Sequence, residues 1–566
     1  MLQIKPFALK TEIKTRPFST SFALSLGFVG IYYSLFHPSW HVNDDPAMAM
    51  IGAGVVWTNT GSEFIVFVNI LLGKLIKFLG ELYPGTFWYS IAVLGLTFLS
   101  LWQSILITFL SNHFFPKTLI NFIFLFYLYS NYFFSITFTK TAILLGLTSG
   151  ILFIFAETFL QSRKRTICVI LSSFGIFCTS LLRFEAFLLS LILLTPLLTV
   201  HLFKKIRTHN YSADLMIMFT GVFLALATRG YHNSYYAKNL DWQSSGAAQK
   251  TLAFILDYGR TLKDANNSGE VFKRTGITQT DWDMVRSWLF PESVISDESL
   301  LKLENELNQP TISFPVMIRQ LLKSLQSSQM VIICLGLSLI WCALFSQLTS
   351  WLFFFLYFAI IVIYFITYRK LPERVLCPMS AFFPLSALAL IDTKINLTRS
   401  KKLAFLFSAL LISKFTISEI RYILFLDKEN QIRQAQLMSD LTQIKKYSNN
   451  LFVVVPLSVG FENLPVVKYP HSLLSSFQGM TFGWLSRTSL FKKRIQNFKV
   501  QDIFYSLSDR KDLIVVSTQK SNVLLHTYIK NKFNKNISFI PIYDGSQFKL
   551  WRPVNNFKEE AAGIDN

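Results

Sequence analysis

The residues best suited to acid–base chemistry in this chain are two adjacent aspartates, Asp44 and Asp45, in the stretch HVNDDPAMAM (residues 41–50) that follows the first hydrophobic segment. An ionised carboxylate is costly to keep beside hydrocarbon, so an acidic pair at the mouth of a membrane bundle is expected to have a task there. A carboxylate within hydrogen-bond reach of a hydroxyl can take its proton as that hydroxyl attacks. Local structure absorbs part of the pair. Asp45-Pro46 reads as a helix cap followed by proline at the first helical position, with the helix over residues 47–57. Asp44 then stands just outside that helix, near its positive end, where negative charge is favoured and the carboxylate stays ionised.

A reaction that expels an anion also needs fixed cations. Arg183, with Glu185 two residues on, sits between two apolar segments, and Lys140 joins two others across almost no loop. Arg374, in KLPERVLCP, precedes a further apolar segment, and Pro372 and Pro378 stiffen the chain around it. The planar fork of arginine suits a phosphate. Each of these cations also reads as an ordinary anchor at the membrane boundary, with Glu185 as the ion partner of Arg183. His41 is close enough in sequence to Asp44 to move a proton or bind a metal, and beside Trp40 it reads equally as a residue of the interfacial belt. Asp44, Asp45 and His41 come from one loop and supply too few ligands to predict a metal site.

The elements that must position these groups follow from composition. Of 566 residues, 52% are hydrophobic and 16% aromatic, and the mean hydropathy is +0.40, which excludes a soluble multidomain protein. The net charge of +21 sits in short loops between apolar segments, so it points to the positive-inside pattern and to lipid headgroups, with no nucleic-acid partner. Eleven segments approach the roughly 20 apolar residues a spanning helix needs. They are residues 20–38, 86–109, 119–138, 141–160, 166–182, 186–203, 212–228, 329–346, 351–368, 376–391 and 403–425. A twelfth stretch, 64–82, is interrupted by Asn69, Lys74, Lys77 and Glu81. If it does not span, the basic loops at 163–165, 204–207 and 394–402 share a side with the basic N-terminus, so it is expected to lie in the interface as an amphipathic helix. Asp44, Lys140, Arg183, Arg374 and the chain beyond residue 426 then all fall on the extracytoplasmic side. The five cysteines show no CxxC spacing, and neither a disulfide framework nor a zinc site is expected.

The long loop 229–324 is expected to hold short helices at DWDMVRSWLF and SDESLLKLENEL. The tail 427–566 alternates helix-like and strand-like runs (LFVVVPL, DLIVVS, SNVLLHTYIKNKF, ISFIPIY), as a small α/β domain does. Its aromatic and basic stretch GMTFGWLSRTSLFKKR is a candidate cap over the active-site cavity, or a plain domain surface.

This layout, together with Asn43, Asp44 and Asp45, resembles the GT-C glycosyltransferases, which include oligosaccharyltransferases, protein mannosyltransferases and aminoarabinose transferases. The resemblance implies a mostly α fold. It would be a polytopic bundle of about 11 spans (1–426), with two juxtamembrane helices in the first extracytoplasmic loop (39–85) and the C-terminal α/β domain beyond it. The implied activity is transfer of a sugar from a polyprenyl-phosphate-linked donor to a glycan, lipid or protein acceptor outside the cytoplasm. Asp44 would stand in the place of the aspartate that activates the acceptor, and Asp45 in that of the acidic residue beside it. Arg183, Arg374 and Lys140 would hold the lipid phosphate, with Glu185 and His41 beside them in the substrate-binding set. Some members of that family use a divalent metal near the acidic pair, so Mg or Mn is a possible cofactor. Two other classes of reading are a flippase or transporter for lipid-linked sugars and a polysaccharide polymerase or ligase. A transporter calls for ionisable residues near the midplane, where only Glu157 comes close.

Overall fold

The computed structural model describes residues 16–111, 115–207, 213–257, 261–262, 268–308, 314–326, 328–345, 348–368, 370–390 and 399–555; Lys5, Lys10, Lys14 and Lys394 lie outside them. Among the described residues, seven helices are long and apolar enough to cross a membrane: Pro17–Leu35, Trp88–Leu110, Phe138–Phe159, Arg163–Leu182, Phe184–Arg207, Ala213–Ala237 and Ser350–Tyr368. An eighth is reached if Pro315–Gln326 and Gln329–Ala343, bent by 97° at their break, form one span. The expected count of eleven is not confirmed by length and composition among the described residues. The remaining segments fall on the shorter apolar helix Thr118–Phe134, on Glu373–Leu390 with Pro378 and Pro384 inside it, and on Arg399–Ile444. That last helix runs 46 residues through position 427 without a break, so the polar helix of the tail is the continuation of the preceding apolar one.

Phe138–Phe159 is the centre of the bundle, buried along almost its whole length. Gly146 and Gly150, one turn apart, let the Phe184–Arg207 helix press close, since a Cβ at either would overlap Ser190 or Leu194. The first loop holds two short helices, Asp44–Ala53 and Ile70–Leu82. The second is capped by the Asn69 side chain and has 13 residues. At about 1.5 Å per residue it reaches only about 20 Å, too short for a hydrocarbon core of about 30 Å. Its exposed Leu71, Leu75, Phe78 and Leu82 give it the apolar face of an interfacial helix.

Two further connections fix the site. Strand β1 (Ser39–Trp40) pairs in parallel with β2 (Ser135–Ile136), which ties the first loop to the entrance of the central helix. The long loop adds a small antiparallel pair, β3 (Thr261–Leu262) with β4 (Leu307–Asn308), and the helices Leu240–Leu256, Gln279–Arg286 and Asp297–Asn305. The tail forms a five-stranded sheet in the order β6-β5-β7-β9-β8, from β5 (Leu451–Val454), β6 (Gly479–Thr481), β7 (Leu513–Val516), β8 (Ile537–Asp544) and β9 (Lys549–Asn555). Side chains alternate between the faces of a strand. Accordingly Phe452, Val454, Ile514 and Val516 join the core shared with the bundle, while Leu451, Val453, Leu513 and Val515 join a second core with the long-loop helices. The expected start of the long loop at 229 falls inside the Ala213–Ala237 helix, and the loop that follows that helix is packed onto the C-terminal sheet.

Candidate active site

The helix carrying the acidic pair begins at Asp44, with Asn43 in the cap position, and ends at Ala53 before Gly54 in the left-handed conformation. Asp45 is therefore not the cap of its own helix, and this corrects the sequence expectation. Its Oδ1 accepts a hydrogen bond from the first backbone N–H of the central helix, Phe138, at 3.1 Å and another from the Tyr89 hydroxyl at 2.7 Å. It caps a helix almost a hundred residues away in sequence, supplying an acceptor to a donor that has none within its own helix. Asp45 is fully buried, and burial pushes its carboxyl up to about 7 despite those two bonds. It does not line any open space that Asp44 lines.

Asp44 turns the other way, into a cavity of about 470 Å³ whose lining includes His41, Phe67, Arg183, Asp257, Glu373, Arg374 and Trp484. It is half-buried, and Arg374 Nη1 stands 3.6 Å from its Oδ2. Burial raises its carboxyl above the usual carboxylate range, while Arg374 and Arg183 hold it down. A carboxylate with a raised affinity for protons that still faces open space is placed to act as a base.

Arg183 follows the end of the Ser162–Leu182 helix. Its Nη1 donates to Thr139 Oγ1 at 2.6 Å, and its guanidinium lies against the rings of Phe138 and Phe67 at 4.9 and 5.5 Å from their centroids. Phe67 holds that position with a backbone φ of 69°, a region that bulky residues rarely adopt and that collects at functional sites. Arg183 also heads a second, apolar groove of about 380 Å³ between the Phe184–Arg207 and Leu348–Tyr368 helices, lined by Leu188, Ile192, Ile360 and Ile363. The cavity with its charged side chains and the apolar groove meet at this one arginine. Glu185 lines the groove and not the cavity, bridging Arg183 at 3.7 Å and Arg229 at 3.8 Å, in keeping with its reading as an ion partner.

Lys140 is placed differently from the expectation. It is fully buried in the first turn of the central helix and does not line the cavity. Its Nζ donates to Asn131 Oδ1 at 3.2 Å and lies 3.3 Å from His41 Nδ1. If Lys140 is an ammonium, which only donates, Nδ1 of His41 is the acceptor and the proton of a neutral imidazole sits on Nε2. Burial, and then Lys140 and Arg374, lower the His41 pKa to about 3. The backbone bond from His41 N–H to Ile136 O, at 2.9 Å, continues the β1–β2 pairing and sets the ring beside Ser135. Among the described residues no group of three or more His, Cys, Asp or Glu is placed to hold a metal ion.

Asp257, Glu373, Phe67 and Trp484 were not singled out by the sequence. Trp484 lies in the stretch expected to cap the cavity, and the structure puts its ring 6.3 Å from that of Phe67. The chain is similar to ArnT from Cupriavidus metallidurans. The apo crystal structure of that protein matches with a TM-score of 0.40 at 11% identity, covering 95% of this chain and 98% of that one. The structure of the same protein bound to undecaprenyl phosphate matches with a TM-score of 0.37 at 11% identity and the same coverage. No protein-family model and no curated protein matches the sequence.

Proposed function

We propose that this protein is a membrane glycosyltransferase that takes a sugar from a polyprenyl-phosphate-linked donor and passes it to an acceptor hydroxyl on the extracytoplasmic side. The observation that carries the reading is the meeting of the charge-bearing cavity and the apolar groove at Arg183, with Asp44 and Arg374 in the same cavity. A donor made of a sugar, a phosphate and a long hydrocarbon chain needs three adjoining environments of just these kinds. The groove would take the chain, Arg183 and Arg374 would neutralise the phosphate as it leaves, and Asp44 would receive the acceptor proton. Asp45 would hold the first loop against the central helix. His41 and Lys140 would support the cavity wall, with His41 kept neutral.

Polyprenyl-phosphate binding to the full-length protein in nanodiscs tests this reading, with Ile363→Trp to fill the groove and Arg183→Gln to remove the shared cation. Both variants should weaken binding by about tenfold or more while the protein stays folded. Unchanged affinity in both would remove the lipid-linked donor from the account.

A further inference from the structure

A second cavity, of about 300 Å³, lies where the first loop meets the C-terminal domain. Residues 57–64 form one wall and the Ser489–Asn497 helix the other. Ser489, Lys493 and Asn497 recur every fourth residue and share one face of that helix, with Arg494 beside them. Arg494 is only 4% exposed. Its guanidinium donates to Asn59 Oδ1 at 2.6 Å, to Val56 O at 2.9 Å and to Gln478 Oε1 at 3.4 Å. All three partners are uncharged, and among the described residues no carboxylate lies within 4.0 Å of it. Arg487 of the same domain is equally buried but has Asp297 as its counterion.

The other charges around the cavity tilt the same way. Lys77 and Lys493 are cations, and the single carboxylate, Glu63, is already held by Lys77 at 2.9 Å and by the Tyr235 hydroxyl at 3.1 Å. Trp57 Nε1 and Thr58 Oγ1, also in the lining, are buried with no hydrogen-bond partner among the described residues. Buried charges are ordinarily paired and buried polar groups bonded. An entering anion that carries further polar groups would satisfy both deficits together.

We propose that this cavity is an oxyanion-binding site, separate from the Asp44 cavity, that takes a phosphate or carboxylate carried on a sugar. Arg494 offers its remaining N–H groups to the oxyanion and Lys493 a second positive charge. The hydroxyl and amide side chains of Thr58, Ser489 and Asn497 match the hydroxyls of a sugar ring, and the volume suits one monosaccharide with its charged group.

Calorimetric titration of the full-length protein, in nanodiscs of neutral lipid, tests this with glucose 6-phosphate, glucuronate, inorganic phosphate and glucose as probes. Glucose 6-phosphate and glucuronate should bind saturably, with phosphate and glucose each weaker by about tenfold or more. Lys493→Glu, on an exposed position that leaves the fold intact, and Arg494→Gln should each reduce binding by about tenfold or more. Several results would overturn the proposal: no saturable binding of either anionic sugar, affinities that ignore Lys493→Glu, or inorganic phosphate binding as tightly as the sugar phosphate. A titration abolished by phosphatidylglycerol in the nanodiscs would assign the cavity to lipid headgroups and would likewise overturn it.

Discussion

The two ends of the Phe138–Phe159 helix carry the same kinds of residue and use them in opposite ways. At its C-terminal end the Glu157 carboxylate is wholly enclosed, with Lys205 at 2.7 Å, His201 at 3.7 Å and Arg165 at 3.9 Å. Arg165 also pairs with Asp214 at 2.6 Å, so the cluster joins four consecutive helices. At the N-terminal end, about 33 Å away for 22 residues, Asp44 and Arg374 are half-exposed and stand 3.6 Å apart around an open cavity. A closed, well-paired cluster fixes helices, whereas a loosely paired one beside open space is available to a substrate. Glu157, the residue that came nearest to suggesting a transporter, is accounted for as a clamp.

The sharpest way to break this contrast is Asp44→Asn. Loss of a general base should lower transfer by about 10²- to 10⁴-fold with little change in thermal stability. The mirror change is Glu157→Ala at the closed end. Removing one member of a buried ion cluster should destabilise the protein by about 3–5 kcal/mol, seen as a lower unfolding temperature, with activity per folded molecule retained. If Glu157→Ala abolished transfer in a protein of normal stability, the division into a structural end and a chemical end would fail.

Asp45→Asn separates the two aspartates. The folded Asp45 carboxyl titrates near 7, above its value in the unfolded chain. Its protonated form is therefore favoured by folding, and stability is lost as pH rises from about 4 through about 7. Asparagine can still accept from Tyr89 and Phe138 without titrating, so the stability of the variant relative to the wild type should rise between pH 5 and pH 8, by up to roughly 3 kcal/mol. A variant whose unfolding temperature kept the wild-type pH dependence would contradict the assignment. The smallest effect is expected for Arg374→Gln, which should weaken donor binding by about tenfold. It should also move the acid limb of the pH–rate profile upward, because the cation that holds Asp44 down is gone.

The candidate site was legible in the sequence where a charge stood in apolar surroundings. Asp44, Arg183 and Arg374 could be found in that way, and all three line one cavity. The pairing of Asp45 was misread because a local Asp-Pro pattern explains a cap, whereas the helix it does cap starts at Phe138, a contact that only tertiary folding creates. Lys140 reads as a phosphate ligand because it is a cation between two apolar runs, whereas its approach to Asn131 and His41 depends on tertiary folding that includes the β1–β2 pairing, which two-residue strands do not announce. Phe67, Asp257 and Trp484 come from three distant parts of the chain, and Phe67 depends on a backbone conformation its residue type disfavours. The strands of the tail were legible as apolar runs, but such a run does not say that its alternate residues serve two different cores.

The most direct test of the central claim measures donor affinity and sugar transfer on the same preparation of Asp44→Asn in nanodiscs. Labelled polyprenyl-phosphate sugars and a membrane extract would serve as donor and acceptor. The proposed function predicts donor binding within about threefold of the wild type and transfer lowered by about 10²-fold or more, because in it Asp44 would act on the acceptor proton and not on the donor. Transfer at the wild-type rate, or a loss that merely follows a loss of donor binding, would contradict it.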